Sequence, residues 1–244
     1  MRVGTASTGW DRTWRAAELT QRPAEAQPAR AAVLAALAGG LATLLGTSLG
    51  TELRPTWAQV AAAVAVGVLT LGVVVVALQG TTTRAHLVVL TAALLSAGAA
   101  AIHFAVIQSH FEEWWGFGAF FVASGVAQLG WSLLVVTWPS RPLFWMGVFG
   151  NAAIVALWIV TRTEGTLVGP DPREPEPVGV ADGISTGFEI GIVALAFSLA
   201  LFGVPRRQFL RMFAWLVGAA TLALTAVGLL SAIGAVPGVI PPVE

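Results

Sequence analysis

Two histidines and two acids fall within eleven positions in His103-Phe-Ala-Val-Ile-Gln-Ser-His110-Phe-Glu112-Glu113. Imidazole and carboxylate together can trade protons or hold a borderline metal ion, and without sulfur such a set suits Zn(II) or Cu(II) better than Cu(I). His110 and Glu113 are spaced i, i+3, which lets one ion touch both if the chain there is helical. His103 and His110 are spaced i, i+7, on one helix face but about 10 Å apart, so one ion could hold both only if the helix broke near Ser109. A further carboxylate, Glu189, stands alone in the apolar stretch Gly187-Phe-Glu-Ile-Gly191. Charged groups within apolar spans are costly and mark functional candidates. His103, His110, Glu113 and Glu189 are therefore the candidate ligands for a divalent metal or a small polar molecule. Gln128 and Asn151, each in the middle of an apolar segment, are candidate mid-membrane contacts or interhelical glue.

The elements that must position these groups follow from composition. The 244 residues are 56% hydrophobic and 11% charged, and mean hydropathy is +0.79. A soluble domain carries about 25% charge, so this chain has too little polar surface to suit water. Charges are missing from 55–83, 85–111, 114–140, 142–161 and 212–243. Such gaps are about long enough to cross a ~30 Å hydrocarbon core. The class is all-α, a polytopic membrane protein whose partner is the lipid bilayer, and nucleic-acid binding is not expected.

Seven spans are expected near Ala31–Leu49, Trp57–Leu78, His86–Gln108, Trp114–Val136, Leu143–Val160, Ile184–Val204 and Phe209–Ile233. Residues 1–30 form a polar tail, 31–236 the seven-helix domain and 237–244 a short C-terminal tail. Ten arginines fall on the side of the N-terminus and three (Arg54, Arg162, Arg173) on the other, which puts the N-terminus in the cytoplasm and the C-terminus outside. The location expected is a bacterial inner membrane, the source being suggested by a composition dominated by Ala, Val, Gly and Arg. Outside lies the one long loop, 162–183, where alternating Pro and acid predicts extended, polyproline-like chain and Asp182 a helix N-cap.

Depth pairs two of the candidates. His103 is five residues from Gln108 and Glu189 five from Ile184, so each is about 7–8 Å below the outer surface, where a His–carboxylate pair would lower the cost of both. Absent residue types remove other chemistries. There is no Cys, and every basic residue is Arg, so a retinal Schiff base cannot form. Haem is not expected, because His103 has no second histidine at its depth on another helix. The function expected is a polar site open to the outside that binds a metal ion or small ligand, in transport, sensing or an accessory role. An intramembrane metal-dependent enzyme and a structural subunit without a ligand site are the alternatives. Oligomeric state has no signature in the sequence.

Overall fold

The computed structural model of the chain describes residues 84–203 and 210–232, with side chains from Val88 to Gly203 and from Leu216 to Ala232. The tail, the first two expected spans and the C-terminal tail lie outside the described residues. The described residues form five helices: α1 Arg84–Glu113, α2 Trp115–Thr137, α3 Arg141–Thr163, α4 Val180–Phe202 and α5 Leu210–Ala232. Among the described residues there is no strand, and α1 to α4 are each long and apolar enough to cross a membrane. The described residues are all-helical, and their four long apolar helices mark a multi-pass membrane protein.

α1 is the central post. Its 30 residues span about 45 Å, and from Val88 to Ile107 nearly every side chain is buried. The sequence explains the burial: Ala92, Ala93, Ala97, Gly98, Ala99, Ala100 and Ala101 keep the surface of α1 low, so α2, α4 and α5 all approach closely. A Cβ at Gly98 would stand 2.7 Å from Thr225 Oγ1 of α5 and 2.9 Å from the Phe188 ring of α4. The hydroxyls of Thr221 and Thr225 each donate to the carbonyl four residues back, at 2.7 Å, and so need no water.

α2 and α3 are joined by the tight turn Trp138–Ser140 and meet firmly only near it. Trp131 Nε1 donates to the Leu143 carbonyl at 2.8 Å, and its ring covers Gly147. Contacts between the two helices are otherwise few, and their far ends diverge. α3 is held instead by α4, with Arg141 Nε donating to the Ala200 carbonyl at 2.8 Å. The result is a wedge, closed at the Trp138 end and open toward the 164–179 loop.

Helix ends differ from the sequence reading in one consistent way. The third span reaches Glu113, not Gln108, and the sixth begins at Val180, not Ile184. Polar residues end the apolar run but not the helix, because backbone in the headgroup region still gains from its intrahelical bonds. The helix does not break at Ser109, whose hydroxyl donates to the Val106 carbonyl. Asp182 is not an N-cap: that position is Gly179, without a side-chain hydrogen bond. The long loop is not an extended strand of polyproline. It turns back, with Arg173 N donating to the Thr166 carbonyl and Glu176 N to the Thr161 carbonyl, and Gly165 and Arg173 at positive φ. Thr166 is buried beneath it.

Candidate functional site

Longer helices move the polar groups inward. His103 lies ten residues from the end of α1 and Glu189 nine from the start of α4, about 14–15 Å along each axis, so both sit near mid-depth. Gln128 and Asn151 occupy the same level on α2 and α3. One network joins all four helices. His103 Nε2 is 2.9 Å from Glu189 Oε1; Gln128 Nε2 donates to the same oxygen at 3.0 Å and to Asn151 Oδ1 at 3.2 Å. Asn151 Nδ2 is satisfied by its own helix, at the Gly147 carbonyl. Ser96 Oγ donates to the Gln128 backbone carbonyl at 2.8 Å, tying α2 to α1 beneath the network.

The atoms fix most of the proton positions. An amide nitrogen can only donate, so Glu189 Oε1 acts as acceptor toward Gln128. A carboxylate accepting from His103 as well puts the ring proton on Nε2. His103 Nδ1 has no partner, and in the neutral ring it is an acceptor. His103 and Glu189 are 3% and 1% exposed, so this orphan sits where an unmet polar atom is expensive. Gln128 Oε1 is the second unmet atom of the network.

Above this floor the wedge between α2 and α3 encloses a cavity of about 440 Å³. His103, Thr186 and Glu189 line its base; Phe117, Phe120, Phe121, Ile154, Leu157 and Trp158 form much of its walls. Phe121 stands between the two histidines, its ring centroid 5.4 Å from that of His103 and 4.1 Å from that of His110. His110 lines the upper cavity. Its Nδ1 donates to the Val106 carbonyl at 2.7 Å. At the mouth Arg162 donates to Glu176 Oε2 at 2.5 Å and to Asp182 Oδ2 at 2.6 Å, and its guanidinium carbon lies 5.7 Å from the Trp158 ring centre. One arginine thus binds the end of α3, the returning loop and the first turn of α4.

The four proposed metal ligands do not gather. His103 and Glu189 meet at the floor, His110 is above Phe121, and Glu113 is exposed and outside the cavity lining. Among the described residues, no three His, Cys, Asp or Glu side chains converge to hold a metal ion. Gln128 and Asn151, by contrast, belong to the floor itself. The Arg162 clamp and the Phe121 partition were not read from sequence. The available signal for the clamp was an arginine beside an acid-rich loop; its partners at i+14 and i+20 have no periodicity to reveal them. Comparisons with protein-family models, curated proteins and solved structures give no match.

The network ranks its two amides. Gln128 serves a buried carboxylate, whereas Asn151 serves an amide and its own helix. Gln128→Leu is expected to cost about 1.5–3 kcal/mol, as for a lost bond to a charged group, and Asn151→Leu about 0.5–1 kcal/mol. Unfolding of the detergent-purified variants measures both. The opposite ranking would mean that Glu189 does not depend on Gln128.

Proposed function

We propose that this is a bacterial inner-membrane protein, N-terminus in the cytoplasm, whose cavity opens on the outer face and binds a small molecule. Transport, sensing and an accessory role would all use such a site. The unpartnered Nδ1 of His103, at the floor of a cavity of about 440 Å³, carries this reading. Purely structural networks close on themselves, because each unmet buried group costs about 1–3 kcal/mol. Here the unmet acceptor lies on a residue that lines a space of ligand size. A small molecule is favoured over a metal ion, and over metal-dependent catalysis, because the imidazole and carboxylate groups are dispersed instead of convergent. The orientation follows from the arginine distribution.

The absence of native Cys allows single-cysteine labelling without background. Leu167 is 76% exposed on the loop, Thr186 is buried at the cavity base, and Ser140 lies in the turn at the opposite end. In intact cells a small impermeant methanethiosulfonate should modify Leu167→Cys quickly and Thr186→Cys more slowly, and Ser140→Cys only after lysis. Modification of Ser140→Cys alone in intact cells would invert the topology. A Thr186→Cys that stays inert while Leu167→Cys reacts would mean a sealed cavity, and the ligand-site reading would fail.

A further inference from the structure

We infer that the molecule this cavity takes is a lipophilic amine, bound as its ammonium ion; the inference rests on the ligand-site reading above. Three independent features select that chemistry. The first is formal charge. Arg162 is the cavity's one arginine among the described residues and is already met by Glu176 and Asp182, while Glu189 adds a third carboxylate at the floor. The cavity therefore offers a cation an excess of negative charge and offers an anion only an arginine already paired with two carboxylates. The second is the wall. Phe117, Phe120, Phe121 and Trp158 put aromatic rings around a low-dielectric space, the surroundings in which a cation gains most from ring quadrupoles. The third is the acceptor: His103 Nδ1 lacks a donor, and an ammonium N–H supplies one.

The approach to the cavity has the same sign. Among the described residues at this end stand Glu112, Glu113, Glu164, Asp171, Glu174, Glu176 and Asp182 against Arg162 and Arg173. Such a field concentrates small cations near the mouth and repels anions. Trp158 Nε1 and Arg162 Nε are buried donors without partners at the mouth, and they suit a neutral oxygen on the same molecule. Apolar walls exclude a small, fully hydrated cation, so the amine must bring an apolar body to fill the space between base and mouth.

Three probes of one shape decide the matter: 4-phenylbutylamine, 4-phenylbutan-1-ol and 4-phenylbutanoate, titrated calorimetrically into the detergent-purified full chain. Ile154→Trp, which fills the cavity from the α3 side, gives the micelle-partition background for each probe. The amine should bind at least about tenfold more tightly than the alcohol, a difference of about 1.4 kcal/mol, and the carboxylate should not exceed background. Raising salt should weaken the amine and leave the alcohol unchanged, since only the former responds to the acidic mouth. Glu189→Gln should bring amine and alcohol to within about threefold. The comparison among probes in the unmodified protein stands even if that variant fails to fold. Equal binding of amine and alcohol, or preference for the carboxylate, would overturn the amine inference and leave the ligand cavity intact. No probe above background would overturn both.

Discussion

His103→Ala and Glu189→Gln should each destabilise the protein strongly, and the double variant should cost clearly less than their sum. The pair is wholly buried, His103 Nε2 to Glu189 Oε1 at 2.9 Å, at the level where the bilayer offers no water to replace a lost partner. Breaking a buried pair from one side costs about 3–5 kcal/mol, because the survivor keeps its desolvation penalty without its partner. Removing His103 leaves the Glu189 carboxylate with the Gln128 N–H alone. Removing the charge at Glu189 leaves the His103 N–H facing a weaker acceptor, beside an Nδ1 that has no partner. Direct contact of this kind gives coupling energies of about 0.5–3 kcal/mol. A double-mutant cycle read by chemical or thermal unfolding in detergent measures it. Additive losses would show that the two residues act independently, and the shared floor would lose its energetic basis.

The same cycle extended to Gln128 separates a pair from a network. Gln128 donates to the same carboxylate oxygen as His103, so the two donors share one set of lone pairs and together replace its lost hydration. Removing one donor then raises the cost of removing the other. A coupling of that sign between His103 and Gln128, whose side-chain hydrogen bonds meet at Glu189, would mark the carboxylate as the centre of the floor.

How far these features could be read from sequence varies by residue. The charge-free gaps located the fourth span within a residue of α2, because Trp115 and Thr137 mark where apolar chain meets headgroups; the ends of the expected seventh span fall outside the described residues. His103 and Glu189 were matched in depth although both reference ends were misplaced. Gln108 is five residues short of the true end of α1 and Ile184 four past the true start of α4, so the two errors cancelled. Each error, however, set its own residue too shallow and separated the pair from Gln128 and Asn151, which lie at the same level. Hydropathy ends a span at the first polar residues, while the hydrogen-bond ladder continues through the interface. The cavity had still less of a signature. It arises because α2 and α3 meet near Trp131 and Gly147 and diverge beyond Asn151, and a crossing angle leaves no periodic mark in either helix. The loop was misread because Pro and acid describe local stiffness, whereas its path is set by Arg162, a partner on another helix.

Gly98 is a position inside the helix bundle where even the smallest substitution should do harm. In an exposed helix, Gly→Ala stabilises by up to about 1 kcal/mol, since Ala has less backbone freedom to lose. At Gly98 the sign should reverse. The added Cβ would meet Thr225 Oγ1 at 2.7 Å, an atom fixed by its own bond to the Thr221 carbonyl, and Phe188 at 2.9 Å. One of α4 and α5 must move by several tenths of an ångström, and overpacking of this kind costs about 1–3 kcal/mol for Ala and more for Leu. Phe188 is the neighbour of Glu189, and Gly98 lies five residues before His103 on α1, so the displacement acts on the very contact that closes the floor. Gly150 on α3 is the control: nothing lies within 4 Å of its Cβ position, and Gly150→Ala should be neutral or stabilising. Gly98→Leu should lower the unfolding midpoint sharply and weaken any ligand that uses His103. Thr225→Ala, which removes the nearer obstacle, should recover part of the loss in Gly98→Ala. If Gly98→Ala instead stabilises the protein as Gly150→Ala does, the close crossing of α1 with α4 and α5 is not what holds His103 against Glu189.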